Sequence, residues 1–105
     1  MNLLDIELHD ARLVSISTDY VKRGVTIAIE YYPAADASQR SAAQIRFMGV
    51  TQINEVSDLL ELQSHQSAGN ISHWVPATGA GTTFIHLAQG LVAITASSLV
   101  FAGEA

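Results

Sequence analysis

No cysteine occurs in the 105 residues, which excludes a disulfide framework and a thiol nucleophile and leaves packing alone to hold the fold. The absence fits a reducing compartment. Charge is scarce as well: 14% of the residues are charged, five of them basic and ten acidic, for a net charge of −5. Nucleic acid and anionic membranes are therefore disfavoured as partners, because the chain offers no basic footprint. Proline occurs only twice. No apolar run approaches the ~20 residues that a membrane-spanning helix needs, and the opening MNLLDIELHD lacks the basic and apolar regions of a secretory signal. The expectation is a cytoplasmic single domain spanning residues 1–105.

Hydrophobic residues, by contrast, make up 49%. That fraction excludes disorder and exceeds what one small domain readily hides, so contact with a protein partner or a second copy is expected. The stretch Gly81 to Ala96 carries the clearest pattern. Alternation places Ile85, Leu87, Val92, Ile94 and Ala96 on one face, and Phe84, His86, Ala88, Leu91, Ala93 and Thr95 on the other. A two-residue turn at Gln89-Gly90, with Gly90 at positive φ, would pair Ala88 with Leu91, Leu87 with Val92 and Ile85 with Ile94.

Earlier in the chain, Leu4, Ile6 and Leu8 alternate with polar residues and read as a short strand or extended lead-in. After His9-Asp10 the alternation resumes, with Val14, Ile16, Thr18 and Tyr20 facing one way. A four-residue turn ending at Gly24 leads to a second strand with Val25, Ile27, Ile29 and Tyr31 on one face. Pro33 stops it, since proline lacks the ladder donor. Ala34 to Ala42 reads as an exposed loop, and Ala42 to Val50 as a third strand with Gly49 marking a bulge.

Between Thr51 and Gln66 periodicity does not decide; the preferred reading continues the third strand through Glu55 and places a helix over residues 57–64, with Asp58 and Glu61 at capping-box spacing. Ile71 to Val75 forms a strand before Pro76, and Ser97-Ser98 breaks the last alternation, as a corner would. The tail Ala102 to Ala105 has little to pack and is expected to fray. The fold class is mainly β, or α+β at most: a compact antiparallel sheet, sandwich or half-barrel of about six strands with one short helix.

Few residues carry candidate chemistry. His9-Asp10 at a strand junction is either an acid/base pair or a turn device in which Asp10 accepts backbone N–H groups. His73, Trp74 and His86 are surface or ligand candidates, or else ordinary members of half-buried strands. Neighbouring positions on a strand point His73 and Trp74 to opposite faces, so they cannot share a pocket. A metal or small-ligand site would need at least three of His9, Asp10, His73 and His86 to converge, and their spacing matches no zinc pattern. Gly79-Ala80-Gly81-Thr82-Thr83 has no lysine and no following helix, so it is a loop and not a phosphate cradle. No serine sits in a G-x-S-x-G elbow. No cofactor or catalytic residue is expected, and the chain reads as a non-enzyme. The large side chains Tyr20, Tyr31, Tyr32 and Trp74 either pack in the core or mark an interaction surface.

Four segments carry a resemblance: Leu8-His9-Asp10-Ala11, Arg46-Phe47-Met48-Gly49-Val50, Gly69-Asn70-Ile71 with Trp74 beyond it, and Thr83-Phe84-Ile85-His86-Leu87 with Gly90. Through them the chain resembles small uncharacterised bacterial single-domain families of about this length, some grouped with immunity proteins of polymorphic toxin systems. The resemblance implies a compact, mainly antiparallel β domain of bacterial origin, and its immunity-grouped members would imply binding to a toxin partner. It implies no catalytic residue. The alternative is a small-ligand or metal-binding protein using His9, Asp10, His73 or His86.

Overall fold

A computed structural model describes residues 2–103. Two four-stranded antiparallel sheets face one another across one hydrophobic core. The first sheet has β1 (Arg12–Asp19), β2 (Gly24–Tyr31), β3 (Ser41–Met48) and β8 (Ser98–Gly103), in the order β1-β2-β3-β8. In the second, β4 (Gln52–Val56), β5 (Ile71–Val75), β6 (Gly81–Leu87) and β7 (Gly90–Ala96) stand in the order β4-β7-β6-β5. Among the described residues there are eight strands where the sequence suggests about six. The one α-helix among the described residues, α1 (Leu59–Ser64), is capped by Asp58, whose carboxylate accepts the Glu61 N–H at 3.1 Å. No helix among the described residues is long and apolar enough to cross a membrane.

The period-2 pattern fills the core as expected. Val25, Ile27 and Ile29 from β2, Ala43, Ile45 and Phe47 from β3, and Ile85, Leu87, Val92, Ile94 and Ala96 from β6 and β7 are all buried. Each fully buried aliphatic or aromatic side chain contributes roughly 1.5–3 kcal/mol. Tyr31 is half-buried and meets Phe101 edge-on at 5.1 Å. Tyr20, in contrast, lies in the β1–β2 turn and is 86% exposed, because β1 ends at Asp19.

The β6–β7 hairpin keeps the expected faces but not the expected register. Leu87 pairs with Gly90, Ile85 with Val92 and Thr83 with Ile94, so the turn residues are Ala88 and Gln89. Gln89, not Gly90, takes the positive φ, at 59°. The shift has two causes outside the hairpin: the Ala88 N–H is drawn to the Asn70 carbonyl at 3.0 Å, and Gly90 packs where a Cβ would strike the Val56 carbonyl.

Other departures arise where two strands must fit one another. In β1 the register shifts between Leu13 and Ser15, so Leu13 joins Ile16 against the core while Val14 is 56% exposed. The lead-in is a 3-10 turn, Leu3–Asp5, capped by Asn2, followed by an extended segment that buries Leu8. The third strand does not run on to Glu55. It stops at Gly49, whose φ of 63° turns the chain into the other sheet, where β4 pairs with β7. Ser97 makes the matching corner between β7 and β8, as its break in alternation suggests, and its N–H donates to the Met48 carbonyl at 3.0 Å. The two corners touch, and a Cβ on Gly49 would strike Ser97. At the C-terminus Ala102 and Gly103 are paired in β8, so the expected fraying does not begin there; Glu104 and Ala105 lie outside the described residues.

Candidate functional site

The candidate side chains form two pairs and one core residue. His73 and His86 are cross-strand partners on β5 and β6, their rings stacked at 4.2 Å with an interplanar angle of 9°. A register shift between Ile71 and His73 puts Trp74 on the buried side with Ile71. Trp74 thus points opposite to His73, as alternation requires, and lies 6.2 Å from Phe101. Its indole N–H donates to the Ile6 carbonyl at 2.9 Å, fastening the N-terminal segment to the second sheet.

His9 and Asp10 hold a junction. The Nδ1 of His9 lies 2.8 Å from the Ser72 carbonyl, and a carbonyl can only accept, so Nδ1 carries the proton. That bond first, and then the Asp10 charge, raise the His9 pKa above the ordinary 6.5, with burial opposing weakly and Glu7 adding to the rise. The Asp10 carboxylate lies 3.5 Å from His9 Nε2. The Asp10 carboxylate does not take the turn N–H groups as expected; the Asp10 backbone ties the junction instead, its N–H donating to the Ile71 carbonyl and its carbonyl accepting the Arg40 Nε–H, both at 3.0 Å. Asp10 has φ 66°, and the same Arg40 lies 4.9 Å from the Tyr32 ring centre. Among the described residues, no group of three or more His, Asp or Glu side chains is placed to hold a metal ion.

Sequence reading missed the surfaces that sheet pairing creates. On the outer face of the second sheet, Val56, Leu91, His86 and His73 form one cross-strand row. Asn54, Ala93, Phe84 and Val75 form the next. Thr82 and Thr95, one row further, bond their hydroxyls to each other at 2.7 Å. These rows contain no Asp, Glu, Lys or Arg. The outer face of the first sheet is different: Arg12 pairs with Glu30 at 3.3 Å, and Arg46 donates to Gln44. All five basic residues of the chain lie at or before Arg46.

The second surface is the edge where β4 and α1 stand beside β1. A groove of about 520 Å³ runs between them, lined by Ile16, Thr18 and Tyr20 on one side and Ile53 and Glu55 on the other. A further hollow of about 330 Å³ shares Ile16 and Glu55 with it and reaches Val14, Leu59 and Leu62. Every residue of β4 is exposed. Helix α1 buries no residue fully, and Leu59 and Leu60 are 73% and 77% exposed. Glu55, Asp58 and Glu61 are neighbours of these apolar residues along β4 and α1, and Asp19 and Arg23 line the β1 side of the groove. Alternation could have found only half of this surface, because a leucine in a short helix reads as core until the tertiary contacts are known. In comparison with known proteins, no family model, no curated protein and no solved structure matches the chain.

Proposed function

We propose that the protein is a non-catalytic interaction domain, of the immunity type its sequence resembles, and that it binds a basic protein partner over β4, α1 and the adjoining groove. One observation carries the reading: α1 directs Leu59 and Leu60 into water. A helix of six residues is too short to be stable by itself. Displaying two leucines beside the 71% exposed Val56 adds unfavourable hydration, and a partner relieves it. Glu55, Asp58 and Glu61 stand next to these side chains in β4 and α1, and with Asp19 they outnumber Arg23, the basic residue lining the groove. Such an acidic excess steers a basic partner and repels acidic ones. In this reading the protein acts in the cytoplasm.

The test is light scattering of the protein mixed with a toxin domain encoded beside its gene, at low and high salt. A complex that weakens as salt rises, and that Leu60→Ser weakens at least tenfold without changing the fold, is the expected result. If no neighbouring toxin domain forms a salt-sensitive complex, the reading fails.

A further inference from the structure

We infer that the outer face of the second sheet is a self-association surface, and that two copies pack face to face across it. This surface adjoins the acidic β4–α1 edge and shares Val56 with it, and its occupant is a second copy for three reasons. Charge is the first. Each chain carries −5, and the rows running from β4 to β5 are where two copies meet without opposing any formal charge; the β4–α1 edge would set Glu55, Asp58 and Glu61 against their own copies. Polar pairing is the second: Thr82 and Thr95 share one hydrogen bond, and Asn54, His73 and His86 carry both donors and acceptors, so their counterparts on a second copy can pair with them. Area is the third. Four strands of five to seven residues, at ~4.8 Å spacing and ~3.3 Å rise, give a footprint of roughly 400 Å². Upright Phe84 and Val75, 38% and 50% exposed, raise the accessible area above the footprint, toward the ~800 Å² per partner of a standard interface. An interface between these two sizes lies at the low end of specific association.

Salt dependence separates this surface from the partner site. Screening relieves the repulsion between two negative chains, so salt tightens the pair, whereas it loosens a complex with a basic protein. Sedimentation equilibrium of the full chain from about 5 to 500 μM is the experiment, with Phe84→Lys and Val75→Lys as variants on two strands and Thr26→Lys, on the outer face of the first sheet, as the control. The expected result is a mass rising with concentration from 11.2 kDa toward twice that value for the wild type and the Thr26 variant, more readily at high salt. The Phe84 and Val75 variants, folded by circular dichroism, associate at least tenfold more weakly. A wild type that stays monomeric throughout, or a dimer that both variants leave intact, overturns the inference. Neither outcome touches the proposed toxin complex, which is measured separately and responds to salt in the opposite sense.

Discussion

The side-chain Oδ1 of Asn70 accepts the backbone N–H of Leu13 at 2.7 Å, across 57 positions of sequence. Its Nδ2 donates to the Leu62 carbonyl at 3.2 Å, and its main chain bonds Ala11 and Ala88, each at 3.0 Å. One 2% exposed amide thereby joins the bulge in β1, the end of α1 and the β6–β7 turn. Asn70→Ala leaves the Leu13 N–H and the Leu62 carbonyl without their partner. At about 1–3 kcal/mol for each orphaned buried group, reduced because both bonds are only partly buried, we expect a loss of roughly 2–4 kcal/mol in urea unfolding and faster hydrogen exchange at Leu13. An Ala variant as stable as the wild type would show that water takes over both bonds.

Two glycines give a matched comparison. At Gly90 an added Cβ meets the Val56 carbonyl, which is backbone and cannot swing aside, whereas at Gly79 it meets nothing within 4 Å. Gly90→Ala is expected to cost roughly 1–3 kcal/mol by overpacking, and Gly79→Ala to stay within about 0.5 kcal/mol of the wild type. Thermal unfolding of the two side by side tests this, and equal melting temperatures would contradict the packing of the hairpin against β4.

His9 sets a pH dependence whose sign is fixed. Its pKa is raised in the folded protein by the Ser72 carbonyl and then by Asp10, so the folded state holds the proton more tightly than the unfolded chain. The resulting stabilisation is fully present below the unfolded value near 6.5 and is lost as pH rises through the higher folded value. An NMR titration should find His9 above 6.5, and His9→Gln should flatten the fall in stability across that window. The effect is small because the ring is exposed to solvent, its side chain at 66%. A His9 titrating below 6.5 would contradict the Ser72 contact.

Leu59 and Leu60 separate binding from folding. Both are largely exposed, and Leu62 is the α1 leucine that packs against the core. Leu60→Ser is expected to move stability by about 0.5 kcal/mol or less, while Leu62→Ala loses buried contact and costs roughly 1–3 kcal/mol. Denaturant midpoints measure both, and a large loss at Leu60 would mean that the helix packs elsewhere than on its Leu62 side.

The faces of the central hairpin, the core residues of β2 and β3, the Asp58 cap and the corner at Ser97 were all legible in the chain. In each case the signal is local, an alternation or a spacing of three residues that any neighbour must respect. The hairpin register was not legible, since moving the turn from Gln89-Gly90 to Ala88-Gln89 preserves which residues face inward. What decided it lies outside the hairpin, in the Asn70 carbonyl and the close approach of Val56. Pairing of His73 with His86 was hidden for the same reason, as it depends on the register shift between Ile71 and His73.

The sequence by itself therefore determined that the protein is an antiparallel β structure with one short helix, because backbone pleating converts a period of two directly into an inside and an outside. Only the tertiary structure decided which strands share a sheet, where Gly49 and Ser97 carry the chain from one sheet to the other, and that Leu59 and Leu60 face water while the outer face of β4 to β7 is free of charge. Those outcomes depend on contacts between residues tens of positions apart, and the energy of such a contact belongs to neither residue alone.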